Sequence, residues 1–179
     1  MATDPAEPGR LDYVSFVDYA IERVLDELPG VDPLAMRFVL TLHRATSALV
    51  YDLESAVHRP RGWSWPGFRV LFALWLAGPL EGKRVAELTG MSRAAVSALA
   101  NTLQRDGLVA RGPAEQDRRV VLLEITPAGH EAISSAFAAH NDRERAWAAS
   151  LSEEELRTLI GLLEKLMTGS AAADVKRRF

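Results

Sequence analysis

The chain has 179 residues, with 21 Lys+Arg against 24 Asp+Glu, a net charge of −3 and no cysteine. The lack of cysteine excludes disulfides, thiolate metal sites, thiol nucleophiles and thiol redox sensing. With 48% apolar and 25% charged residues, the composition is that of one globular domain with extensions. No apolar run reaches the roughly 18 residues of a membrane span.

The first ten residues, MATDPAEPGR, are polar and lack the apolar core of a secretory signal. They read as disordered, and the chain as cytoplasmic. Residues 12–28 then space Val14, Val17, Ile21, Val24, Leu25 and Leu28 by threes and fours, which predicts an amphipathic helix. Pro29-Gly30 stops it. Asp32 caps the next helix, with Pro33 at its first position; it is expected to run to about His58, with apolar positions from Leu34 to Ala56. A helix of that length usually spans a subunit or an interface.

Arg59-Pro60-Arg61-Gly62 breaks this helix, and Ser64 caps a third over 65–76, closed by Gly78-Pro79. A short helix over 82–89 ends at Gly90, and Ser92 caps another over 93–106, ended by Gly107. Strands follow from Leu108 to Arg111 and from Arg119 to Ile125, around a polar loop from Gly112 to Arg118. Thr126-Pro127 opens a helix to about Ala149. Ser152, followed by Glu153, Glu154 and Glu155, caps the last helix, which carries Leu156, Leu159, Ile160, Leu163 and Leu166 to about 168. The tail GSAAADVKRRF shows no pattern and reads as loose.

Helix, short helix, glycine turn, helix and β-hairpin is the order of a winged helix-turn-helix. The fold class expected is therefore mainly α with a small β-hairpin wing. At about 100° per residue, Val96, Leu99, Ala100 and Leu103 form the core stripe of the second helix of the pair. The opposite stripe is Ala94, Ser97, Ala98, Asn101 and Arg105. Alanines there have two readings: helix propensity on a solvated face, or a surface slim enough to enter a major groove. In the second reading Ser97 and Asn101 reach base edges, Asn reading adenine bidentately. Arg93, beside the cap Ser92, is placed for phosphate or base. Residues 82–126 hold seven basic side chains, Lys83, Arg84, Arg93, Arg105, Arg111, Arg118 and Arg119, against five acidic ones. That local excess, in a chain of net −3, orients the module toward nucleic acid.

The segment Asp117-Arg118-Arg119, four apolar residues, then Glu124-Ile125-Thr126-Pro127-Ala128-Gly129 resembles the multiple antibiotic resistance regulator (MarR) family of bacterial repressors. In that family the wing carries Asp-x-Arg, and its strand ends in a Leu/Ile-Thr-x-x-Gly turn. The resemblance covers nearly the whole chain, 1–179, as a single unit. It implies an obligate homodimer through helices in 11–60 and 127–168. Residues 64–126 would form the DNA-binding winged helix-turn-helix, gripping a pseudo-palindromic double-stranded operator. By the same match Arg119 enters the minor groove and Asp117 orients it by a charge-assisted hydrogen bond.

The resemblance also implies a repressor released by a small phenolic or aromatic-carboxylate effector. Trp63, Trp65 and Phe68 would stack on it, and Arg37, His43 and Arg44 would supply counter-charge; core packing is the other reading of these aromatics. A urate-responding branch shares the extra N-terminal helix. This chain lacks that branch's Trp on the helix and has Arg69 where the branch has Asp. The four histidines, 43, 58, 130 and 140, show no i, i+4 metal pair and read as solvated or satisfied. No nucleophile–base pair, metal spacing or phosphate loop supports an enzyme or a cofactor. The rival function is a winged-helix protein-interaction module, disfavoured by Arg119 and the small-residue helix face.

Overall fold

The computed structural model describes residues 11–114, 117 and 119–176. The expected disorder of residues 1–10 and the placement of Arg118 lie outside these. By backbone packing the chain divides into two units, residues 1–51 and 52–179.

The first unit contains α1 (Ser15–Glu27) and most of α2 (Pro33–Leu53). Helix α1 begins three residues later than expected, because Asp12 acts from outside it. The Asp12 carboxylate accepts from the Val14 and Ser15 amides at 2.9 and 2.7 Å. Asp32 does the same for α2, accepting from Leu34 and Ala35. Val17 and Ile21 are the buried residues of α1.

Helix α2 is shorter than its apolar stripe. The α-geometry ends at Leu53 and widens into a π-type turn over Glu54–His58, then a 3-10 turn over Arg59–Arg61. Pro60 explains the change: its ring excludes the carbonyl four residues back and it has no N–H to give. The freed groups find other partners. The Trp63 amide donates to the His58 carbonyl at 3.0 Å, and Arg61 donates to the Val57 carbonyl at 2.6 Å. The Glu54 carboxylate accepts the Trp65 amide at 2.7 Å.

The second unit holds α3 (Trp65–Ala77), β1 (Leu80–Glu81), α4 (Gly82–Thr89), α5 (Arg93–Arg105), β2 (Val109–Pro113), β3 (Val121–Ile125), α6 (Pro127–Ala148), α7 (Glu153–Thr168) and α8 (Ser170–Lys176). Strand β1 was not expected; two residues are too few to show a period. It pairs antiparallel with β3, Leu80 opposite Leu123, so the sheet has three strands in the order β1–β3–β2. The hairpin also shifts against its expected bounds. Strand β2 continues through Gly112 and Pro113, tolerated because it is an edge strand, and Pro113 lies opposite Val121. Arg119 falls in the turn instead of in β3. Residues 170–176 of the tail, expected to be loose, form α8, where the alanines 171–173 favour helix once Gly169 has ended α7.

One core joins α3, α4, α5, α6 and the sheet. Leu71, Leu74, Val85, Val96, Ala100, Val109, Leu123, Ile133 and Ala136 are all buried in it. Gly90 makes the turn between α4 and α5. It sits at φ 63°, ψ 31°, a left-handed conformation natural to glycine, and its amide closes on the Ala86 carbonyl.

The last turn of α2 is fastened to α6. Arg143 grips the Asp52 carboxylate with Nε at 2.9 Å and Nη2 at 2.8 Å, and Trp147 Nε1 donates to the same carboxylate at 2.9 Å. These bonds, Trp147 foremost, hold the Asp52 carboxyl below the usual carboxylate range. Asp52→Ala removes three hydrogen bonds and is expected to lower the melting temperature by about 3–6 °C. The Trp147 emission should redden as well; an unchanged melt would show that the clasp is ornamental.

Candidate nucleic-acid interface

Helix α5 sorts its faces by burial. Val96, Ala100 and Leu103 are buried and Leu99 partly so. Arg93, Ala94, Ser97, Ala98, Asn101 and Arg105 are exposed. Ser92 is committed to the helix cap, its hydroxyl accepting the Ala95 amide at 3.2 Å. Arg105 lies 3.6 Å from Asp106. Arg93 makes no ion pair among the described residues and is available to an anion.

The wing stands beside this face. A cleft of about 260 Å³ lies between the start of α4, α5 and the hairpin, lined by Lys83, Arg93, Ser97 and Arg111 among others. Arg111, on β2, bridges to α5. Its Nη1 donates to Asn101 Oδ1 at 2.7 Å and to Gln104 Oε1 at 2.9 Å. Sequence reasoning counted Arg111 only as charge and passed over Gln104. Their meeting is set by hairpin register, which no local pattern displays.

The wing tip departs from expectation in one bond. Asp117 was expected to hold the Arg119 guanidinium. Its Oδ1 instead accepts the Arg119 backbone amide at 2.9 Å, and its carbonyl accepts the Val120 amide at 3.0 Å. A short polar side chain closing on the amide two residues ahead is a local turn device. It fixes the Arg119 backbone and leaves the side chain exposed.

Thr126 anchors the wing to α6. Its hydroxyl donates to the Gly107 carbonyl at 2.7 Å and accepts the Gly129 amide at 3.0 Å, while its own amide donates to the Leu108 carbonyl at 3.0 Å.

The residues assigned to an effector have other partners. In the first unit Arg37 is ion-paired with Asp18. The Arg44 guanidinium lies 3.7 Å above the Tyr13 ring, whose hydroxyl donates to the Arg44 carbonyl. His43 is exposed. In the second unit Trp63 and Phe68 are core residues, 7% and 3% exposed, and Trp65 is half-buried. The histidines also need correction. His130 is satisfied, accepting from Trp75 Nε1 at 3.2 Å. His58 is neither solvated nor satisfied: it is fully buried, with no hydrogen-bond partner on either ring nitrogen.

A three-helix core carrying an exposed reading helix, with a β-hairpin that presents Arg111 and Arg119 beside it, defines a winged helix-turn-helix DNA-binding protein. The known proteins agree. Residues 64–120 match the family model described as the MarR family. The HTH-type transcriptional regulator YwaE of Bacillus subtilis is 31% identical over 132 residues, 74% of this chain and 77% of that protein. A probable transcriptional regulator from Pseudomonas aeruginosa superposes with a TM-score of 0.65 at 27% identity, over 70% of this chain and 93% of that one. BpsR of Bordetella bronchiseptica, a regulator whose DNA binding is controlled by 6-hydroxynicotinic acid, shares the fold with a TM-score of 0.67 at 23% identity, over 73% and 92% of the chains. The chain belongs to the MarR family. It is a DNA-binding transcriptional regulator, and among the described residues no helix is long and apolar enough to cross a membrane.

Proposed function

We propose that the chain acts as a homodimeric repressor whose grip on a pseudo-palindromic operator is released by a small aromatic or anionic ligand. The observation that carries the DNA-reading part is the exposed face of α5, with Arg93, Ser97 and Asn101 outward beside the wing residue Arg119. Arg118 is assigned to the same wing. The dimer reading rests on apolar side chains left bare on a single chain. Leu34, Phe38 and Val39 are exposed on α2, and Leu159, Ile160 and Leu162 on α7. Obligate dimers bury more than about 2,000 Å² of total surface, much of it apolar.

The effector class is argued from BpsR and from arginine chemistry, since a guanidinium suits bidentate carboxylate recognition. Of the aromatics Trp63, Trp65 and Phe68, the first and last lie in the core and the half-buried Trp65 is left for this role. A ligand can release DNA only by binding the released state better, and DNA must then weaken ligand binding by the same factor.

One titration tests the whole reading. A duplex enriched from a random pool should bind two chains, with affinity falling steeply as salt rises. Arg119→Ala should weaken every duplex, by roughly tenfold or more. An aromatic acid that quenches tryptophan emission should displace the protein. Wild-type affinity for Arg119→Ala overturns the wing assignment. A panel of phenols and aromatic acids that moves neither emission nor affinity overturns the effector class.

A further inference from the structure

Arg111 does more to the reading helix than add charge. A guanidinium has donors and no acceptor, so an amide facing it must present its oxygen. The two bonds from Nη1 therefore fix both amides: Asn101 and Gln104 turn their oxygens to the wing and their NH2 groups away from it. Ser97, Asn101 and Gln104 stand at i, i+4 and i+7, one stripe of α5, and all three are exposed.

This orientation bears on base choice. An asparagine that lays both ends of its amide on one adenine edge donates to N7 and accepts from the N6 amino group. With its oxygen directed at Arg111, Asn101 cannot direct both ends at one base. What these two amides offer the groove is donors. Guanine is the base whose major-groove edge carries two adjacent acceptors, N7 and O6, and no donor beside them.

We propose that Arg111 is a specificity-determining residue acting through Asn101 and Gln104: it makes both amides donors and sets the reading helix to prefer G·C over A·T where they touch. The inference rests on the DNA-reading role of α5. It replaces the adenine reading that Asn101 alone suggests.

The test is selection of binding sites from a random duplex pool by the full chain, at one fixed salt concentration. Positions that lose their preference in Asn101→Ala and Gln104→Ala identify the contacted base pairs. Wild type should select G·C there, by roughly tenfold over A·T. Arg111→Met keeps the side-chain stem and removes the donors, which frees the Asn101 amide; the selected pair should change to A·T. Asn101→Asp keeps an acceptor for Arg111 but has no outward NH2, so it should lose the guanine preference while the remaining consensus stands. That variant serves if Arg111→Met melts abnormally. Wild-type selection of A·T at these positions overturns the proposal. So does an Arg111→Met or Asn101→Asp consensus equal to wild type with affinity lowered uniformly, since Arg111 would then be a phosphate contact alone. If wild type enriches no sequence at all, the DNA-reading role fails first and the proposal with it, a result distinct from enrichment of the wrong base.

Discussion

Gly129→Ala is expected to destabilise the protein by about 3 kcal/mol or more, the upper end for inserting one methyl group into a packed site. A Cβ at position 129 would collide with the Leu108 carbonyl oxygen and lie 2.9 Å from Ile125 Cγ1. The oxygen belongs to backbone and cannot swing aside as a flexible side chain does. It is also in use, accepting the Thr126 amide at 3.0 Å. Relief requires α6 to separate from the strand root, which breaks the two bonds Thr126 makes to Gly107 and Leu108. The melting temperature should fall by roughly 6–12 °C at this chain length. Operator binding should weaken too, because the wing is held to the helical body through this joint. Gly112→Ala is the matched control: it lies in β2, and a Cβ there meets nothing within 4 Å. Equal melting of the two variants would show that the joint yields, contrary to the packing argument.

Gly129 was visible in the sequence as part of a Thr-Pro-Ala-Gly turn, but its reason was not. What a sequence displays best is local chemistry. The caps at Ser64, Ser92, Thr126 and Ser152 bond amides three residues ahead, and their helices begin where expected. The turn at Gly90 was legible for the same reason. The core stripe of α5 was legible because helical period alone fixes its face. Events set by distant partners were not. The apolar spacing of α2 runs on through Val57, which stays buried after the α-geometry has ended, so the stripe overstates the helix. Strand β1 exists only because β3 lies beside it. Arg111 reaches Asn101 through the hairpin, across ten residues of chain. Trp63 and Phe68 read equally as pocket or core, since both environments want the same side chains; in the fold both are buried in the core that holds Val57 and Leu71.

Acidification should destabilise the fold well before its carboxylates are protonated, and His58 should be the cause. Its imidazole is fully buried, stacked on Phe68 with ring centroids 4.2 Å apart, and 5.2 Å from His140. Burial, then the neighbouring His140, push its pKa down to about 4; Glu54 opposes this and Arg61 adds to it. Behind His140 stands Glu144, whose carboxylate meets His140 Nε2 at 3.1 Å. An unfolded histidine titrates near 6.5. Between the two values the unfolded chain holds a proton that the folded chain refuses, so stability rises with pH across that window. It is fully present above about 6.5 and is lost progressively as pH falls toward about 4. Asp52 and Glu54, held below the usual carboxylate range by their hydrogen bonds, lose their contribution only as pH falls into and below that range, and so add little between pH 7 and pH 5. The melting temperature at pH 5 should lie below that at pH 7, by an amount on the order of 5 °C. His58→Leu removes the titrating group and two unsatisfied nitrogens together. It should flatten the profile between pH 7 and pH 5 and melt no lower than wild type at pH 7. A His58→Leu profile that falls as steeply as the parent's would assign the acid sensitivity elsewhere.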